Sequence, residues 1–203
     1  MRIVIVDYGM GNIRSIVTTL NYLNVTDIIV SDSLQELEKA DKIILPGVGN
    51  FGKAINQIRD KQIDRHLNQV ILDQGKPLLG ICLGMQLLGL TSSEYGDNKG
   101  LCYVKGVVTK FDNILVKVPH VGFNQVIVNK NSKLFEGISN EADFYFTHSY
   151  RMHAKEDMNQ SICSYQDDFV AAFEVGNICG VQFHPELSQF NGLRLLKNFI
   201  DNF

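Results

Sequence analysis

Cys82 stands in the one setting of this chain that reads at once as chemistry. An apolar run, Pro77-Leu78-Leu79, leads into Gly80-Ile81-Cys82-Leu83-Gly84, and a helix-forming Met85-Gln86-Leu87-Leu88 follows. G-x-C-x-G is the thiol counterpart of the nucleophile elbow, where a strand turns into a helix so tightly that the nucleophile takes strained backbone angles. Side chains on the neighbours would clash in such a turn, so glycines flank it. The turn presents the sulfur at the carboxyl end of a strand, where open α/β sheets bind ligands. It also places it at the start of a helix, whose dipole favours thiolate. A free thiol, with a pKa of about 8.5, is only a few per cent ionised at neutral pH, so such help matters. The alternative is a small buried hydrophobe, and that reading is taken for Cys102, Cys163 and Cys179.

A cysteine nucleophile needs a histidine, and the histidine needs a third group that fixes its tautomer. Among His66, His120, His148, His153 and His184, the last is distinctive. It ends the strand-like Gly180-Val181-Gln182-Phe183 and is followed by Pro185 and Glu186. The proline denies the segment a helix, so a rigid extended turn is expected to present both side chains. Glu186 then accepts a hydrogen bond from the imidazole. H-P-E alone has low specificity, and a helix-capping role for Glu186 competes with it. His66 and His153 sit in polar surroundings and read as solvated surface residues. No second histidine or carboxylate stands at metal-ligand spacing, so no metal is expected.

The elements that must position these groups alternate in the first half of the chain. Residues 2–7, 27–32, 42–47 and 77–81 read as short apolar strands. Helical spacing runs through Ile13, Ile16, Val17, Leu20 and Leu23, and again over residues 54–59 and 63–73. Ser33 and Glu36 form a capping box that opens another helix. Continuous apolar strands between helices predict a parallel sheet covered on both faces. In the second half, residues 103–111, 115–123 and 124–130 read as antiparallel strands. Strands at 144–150 and 179–185 then precede an amphipathic helix at 192–203. The expected fold is α/β: one domain over 1–203 with a central mixed, mostly parallel sheet flanked by helices. Gly47-Val48-Gly49-Asn50-Phe51-Gly52 matches G-x-G-x-x-G, but follows the third strand rather than the first, with no acidic strand end after it. It is not read as a dinucleotide site.

Composition narrows the class. With 203 residues, 45% hydrophobic and 20% charged, the chain suits a globular protein, and a net charge of -3 gives no electrostatic reason for a nucleic-acid or membrane partner. The scattered cysteines suggest reduced thiols, and a cytoplasmic location is expected.

Taken together, G-I-C-L-G-M-Q and V-Q-F-H-P-E on an α/β chain resemble the triad-type (class I) glutamine amidotransferases. Within these they are most similar to the glutaminase subunits of imidazole glycerol phosphate synthases. D-Y-G-M-G-N-I-R-S near the start, L-P-G-V-G-N-F-G-K-A, P-H-V-G-F-N, Y-F-T-H-S-Y and the ending N-G-L-R-L-L-K-N-F extend the likeness over nearly the whole chain. The resemblance implies a Cys82–His184–Glu186 triad that hydrolyses L-glutamine, without cofactor. It implies an oxyanion hole from the backbone of Gly47, Val48 and Gly49 together with the Leu83 amide, the loop's peptide being able to flip into place. It assigns Gln86, Glu94, His148, Ser149 and Tyr150 to the amino-acid end of glutamine, Glu94 to its ammonium. It further implies a (β/α)8-barrel cyclase subunit as partner, with Asn12, Phe123, Tyr145 and Leu187 toward it. At two of these the chain departs from the family: Phe123 stands where tryptophan is usual, and Leu187 where lysine is usual. The competing readings are a synthase that aminates a nucleotide sugar, a catalytically silent regulatory subunit, and a cysteine peptidase or esterase on a similar elbow.

Overall fold

The computed structural model describes residues 1–203. Four short apolar strands, β1 (Arg2–Val6), β2 (Asp27–Ser31), β3 (Lys42–Leu45) and β4 (Leu78–Ile81), lie parallel in the order β2-β1-β3-β4. Between them come α1 (Ile13–Tyr22), α2 (Leu34–Lys39), α3 (Phe51–Asp60) and α4 (Ile63–Leu67), the last running into a π-helical turn, Asn68–Asp73. The strands feed two apolar cores, one on each face. Ile3 and Ile5 enter one core while Val4 and Val6 enter the other, as the two-residue strand period requires. Helix α1 covers the first face through Ile16 and Leu20, and α3 the second through Phe51, Ala54, Ile55 and Ile58.

After β4 come α5 (Leu83–Leu87), the two-residue strands β5 (Thr91–Ser92) and β6 (Asn98–Lys99), β7 (Gly106–Lys110) and β8 (His120–Ile127). These are followed by β9 (Glu141–His148), β10 (Tyr150–Ala154), β11 (Ser161–Ser164), β12 (Asp168–Val175), β13 (Ile178–Val181) and the C-terminal α6 (Gln189–Asn202). The large sheet holds nine strands, β2-β1-β3-β4-β13-β12-β11-β8-β9: parallel up to β13 and antiparallel beyond it. No helix is long and apolar enough to cross a membrane.

The structure departs from the sequence reading in four places, three of them in the second half. Residues 115–123 and 124–130 do not form two strands. Pro119, which has no N–H to give a ladder, stands just before β8, and one strand runs on from His120 to Ile127. Residues 144–150 split at Ser149, with β9 in the large sheet and β10 in a second sheet, β10-β7-β5-β6, that the sequence did not announce. Strands β11 and β12 were not anticipated either. Finally, Ser33 caps α2 through the Glu36 amide, but Glu36 turns its own carboxylate to Arg2 and Lys39, so only half of the capping box forms.

Candidate active site

Strand β4 ends at Ile81, and Cys82 takes φ 52° and ψ -112° before α5 begins. The glycines around it are needed for space. A Cβ on Gly84 would run into the Leu45 carbonyl oxygen, and one on Gly80 would lie 2.8 Å from the Met85 backbone. Helix α5 is five residues long, so the dipole it lends the sulfur is smaller than the sequence suggested.

The parallel neighbour of β4 is β13, in register Gly80↔Gly180 and Ile81↔Val181. The Cys82 amide continues the ladder, donating to the Val181 carbonyl at 2.8 Å. Gln182 is thereby set beside Cys82, and two residues later the chain reaches His184. The His184 amide donates to the Tyr145 carbonyl of β9 at 2.9 Å, and the Ser188 hydroxyl donates to the His184 carbonyl at 2.6 Å. The segment that follows is not extended: Pro185–Leu187 forms a 3-10 turn with proline in its first positions, where its missing N–H costs nothing.

His184 Nδ1 lies 2.9 Å from Glu186 Oε1, both side chains being almost wholly buried. Since a carboxylate can only accept, Nδ1 carries the proton in the neutral ring and Nε2 is left as acceptor; Nε2 has no hydrogen-bond partner in the chain. Burial alone lowers the proton affinity of the imidazole, but the Cys82 sulfur and the Glu186 carboxylate outweigh it, and the His184 pKa is raised.

A cavity of about 520 Å³ brings together Cys82, Leu83, Gln86, Glu94, His148, Ser149, Tyr150 and His184 with Val48 and Gly49. Asn12 and Leu187 line it too, whereas Phe123 borders a separate depression beside Phe190. Phe123 and Tyr145 pair across β8 and β9, ring centroids 5.6 Å apart. Gly47 packs directly on the elbow: a Cβ there would lie 2.5 Å from the Gly84 amide nitrogen and 2.8 Å from Leu83 Cβ. Gly49 has φ +99°, and the amides of Val48 and Gly49 donate no hydrogen bond within the chain.

The expected ligand-holding side chains have little spare capacity. Glu94 Oε2 accepts from the Phe51 amide, the first of α3, at 2.7 Å. Gln86 Nε2 donates to the Tyr150 carbonyl and to Gln182 Oε1, each at 2.9 Å, so only its Oε1 remains for a ligand. Both ring nitrogens of His148 are taken, Nδ1 by the Tyr150 carbonyl at 2.8 Å and Nε2 by His120 Nδ1 at 3.0 Å. His66 and His153 are half-buried rather than solvated, and His66 Nδ1 meets the Asp32 carbonyl at 3.1 Å. The sequence reading gave Gln182 no role. Its only signal was its place two residues before His184, and the β4–β13 register was needed to see what that place means.

An elbow cysteine, a carboxylate-oriented histidine and a cavity between them are also shared with hydrolases of other classes. The family model for class-I glutamine amidotransferases matches residues 4–203. The chain belongs to that family. Among relatives, it is 45% identical over 203 residues to "Imidazole glycerol phosphate synthase subunit HisH" of Pyrococcus furiosus, covering 98% of this chain and 97% of the other. With the protein of the same description from Aquifex aeolicus it shares 42% over 201 residues, covering 98% and 96%. A solved structure described as a glutamine amidotransferase superposes with TM-score 0.75 at 19% identity, covering 98% of this chain and 97% of the other. The glutaminase domain of Trypanosoma brucei CTPS with bound acivicin does so with TM-score 0.68 at 20% identity, covering 100% and 95%. At such identities these two likenesses concern the fold.

Proposed function

We propose that this class-I amidotransferase is the glutaminase subunit of an imidazole glycerol phosphate synthase in histidine biosynthesis, acting as one domain over residues 1–203. It hydrolyses L-glutamine to glutamate and ammonia, and passes the ammonia to a (β/α)8-barrel cyclase subunit in the cytoplasm. The observation that carries the reaction is the unpartnered Nε2 of His184, in a ring whose Nδ1 is bound to Glu186, facing the same cavity as Cys82. The full-length likeness to the HisH subunits supports the acceptor.

Cys82 Sγ attacks the side-chain amide carbon of glutamine and its proton passes to His184 Nε2. The oxyanion that forms is held by amides of the Gly47, Val48 and Gly49 loop and of Leu83; one such donor is worth roughly 3–4 kcal/mol in the transition state. His184 returns the proton to the leaving nitrogen, the C–N bond breaks, and ammonia departs from a thioester. Water, deprotonated by His184, then attacks the thioester carbon; the C–S bond breaks and glutamate leaves. Gln86 Oε1 and the second oxygen of Glu94 are acceptors that suit the substrate ammonium, while Ser149 and Tyr150 face its carboxylate end.

A glutamine-like electrophile such as a diazo-ketone analogue tests the site: it should label Cys82 alone among the four cysteines. With the cyclase present, Cys82→Ala should abolish glutamine-dependent turnover yet leave turnover with ammonium salts, because only the nitrogen source is lost. Labelling elsewhere with Cys82 untouched ends the triad reading. Turnover only with a sugar-modifying synthase ends the histidine-pathway reading and leaves the glutaminase intact.

A further inference from the structure

Seven groups form one hydrogen-bonded chain whose direction is fixed at every link, and the last of them is the nucleophile. The Tyr150 carbonyl can only accept. It takes one bond from His148 Nδ1 and another from Gln86, so the Gln86 atom facing it is the amide nitrogen. The second hydrogen of that nitrogen points at Gln182, 2.9 Å away, and there it requires an oxygen. A flipped Gln182 would set two amide nitrogens against each other, and since Gln182 is fully buried the unsatisfied donor would be costly. Gln182 Nε2 is thus turned to Cys82 Sγ, at 3.7 Å.

The far end agrees. With Nδ1 donating, His148 Nε2 accepts from His120 Nδ1, and His120 Nε2 accepts from Asn124 Nδ2 at 3.3 Å. The other hydrogen of that nitrogen goes to the Ser164 carbonyl, and Asn124 Oδ1 takes the Gln125 amide.

We propose that Gln182 is a catalytic residue: its side-chain N–H donates to the Cys82 sulfur, stabilising the thiolate, and Gln86 and His148 position it by fixing which way its amide points. This rests on the glutaminase reading for its purpose, since only a reacting sulfur needs such a donor. The need is physical. Cys82 is 6% exposed, so a charge on its sulfur has little water around it, and the five-residue α5 offers a weak dipole. A donor aimed at the charged form supplies what the surroundings lack, without competing with His184, which must reach the sulfur to exchange its proton.

The decisive measurement is the pH profile of Cys82 alkylation by iodoacetamide in the full chain, with the adduct located by mass spectrometry. Gln182→Met keeps the volume but has no N–H, and should move the profile to higher pH, leaving about tenfold less reactive thiolate at neutral pH. In glutamine turnover with the cyclase, kcat should fall by a similar factor while KM changes less. A profile superimposable on wild type in folded Gln182→Met overturns the proposal. Should that variant not fold, the wild-type chain decides by NMR. The Gln182 side-chain amide proton should shift downfield as the thiol ionises, and this titration should vanish in Cys82→Ala. An amide resonance indifferent to pH in the wild type, or one that titrates equally in Cys82→Ala, overturns the proposal as well. Neither thiol measurement requires glutamine, so a chain that fails to hydrolyse it counts against the glutaminase reading alone.

Discussion

At the scale of single residues, the site depends on groups that leave each neighbour one possible role. Glu186 lets His184 Nδ1 only donate, which frees Nε2 for the sulfur. Glu186→Gln offers the ring a side chain that can donate as well as accept, so the wrong tautomer becomes available. We expect kcat to fall on the order of 10³–10⁴-fold with little change in KM. Steady-state glutaminase assays in the presence of the cyclase check this, and a variant within tenfold of wild type would leave Glu186 a capping residue only. Leu187 makes a second residue-scale case. It is 42% exposed at the rim of the cavity, where the family usually has lysine. A cyclase with a carboxylate at the facing position should bind this chain weakly, since a buried unpaired charge is costly. Leu187→Lys should tighten that pairing; titration of both forms against such a cyclase decides, and equal affinities would show that Leu187 carries no partner information.

Among the elements, the β4–α5 elbow and the loop after β3 interlock through their glycines. Gly84 faces the Leu45 carbonyl with no room for a methyl group, and Gly47 lies against the Gly84 amide. Gly84→Ala therefore cannot be accommodated without moving β3 or the elbow, and should cost about 3 kcal/mol or more, seen as a lower denaturation midpoint or loss of soluble protein. Gly49→Ala differs in kind. Its strain comes from φ +99° and from the Met10 methyl group, 2.9 Å from the new Cβ. The stability cost should be only about 1–2 kcal/mol, with a disproportionate loss of glutaminase activity as the loop amides turn. Thermal melts beside activity assays separate the two; Gly84→Ala melting like wild type would contradict the packing argument.

Across the whole molecule, the antiparallel half of the sheet carries buried, uncharged histidines. Burial lowers His120 to about 4, and burial lowers His148 to about 3 despite the bond from its Nδ1 to the Tyr150 carbonyl, with the positive charge of Arg151 adding to the shift. The unfolded chain takes up protons on these residues as pH falls through about 6.5, and the folded chain does so only near 4 and 3. Their contribution is thus complete above pH 6.5 and is lost progressively as pH falls through the folded values. The raised pKa of His184 acts with the opposite sign: its contribution is present below pH 6.5 and fades as pH rises through its folded value. Denaturant unfolding at pH 7.5, 6 and 5 should show the acid limb, and His120→Asn should flatten it; an unaltered limb in the variant would place the acid sensitivity elsewhere.

By itself the sequence determined what depends on local chemistry and short periods. The alternating β/α half, the elbow around Cys82 and the paired His184 and Glu186 were legible because a glycine-flanked turn and a two- or 3.6-residue period are written in neighbouring residues. The full-length motif likeness went further, to the family. The tertiary structure alone decided what depends on partners distant along the chain. It split residues 144–150 between two sheets, joined 120–127 into one strand after Pro119, and turned Pro185–Leu187 into a 3-10 turn. It also exhausted both nitrogens of His148 and set Gln182 against Cys82. These outcomes follow from strand register and from the satisfaction of buried donors. A hundred residues separate Cys82 from Gln182, and only the pairing of β4 with β13 makes them neighbours.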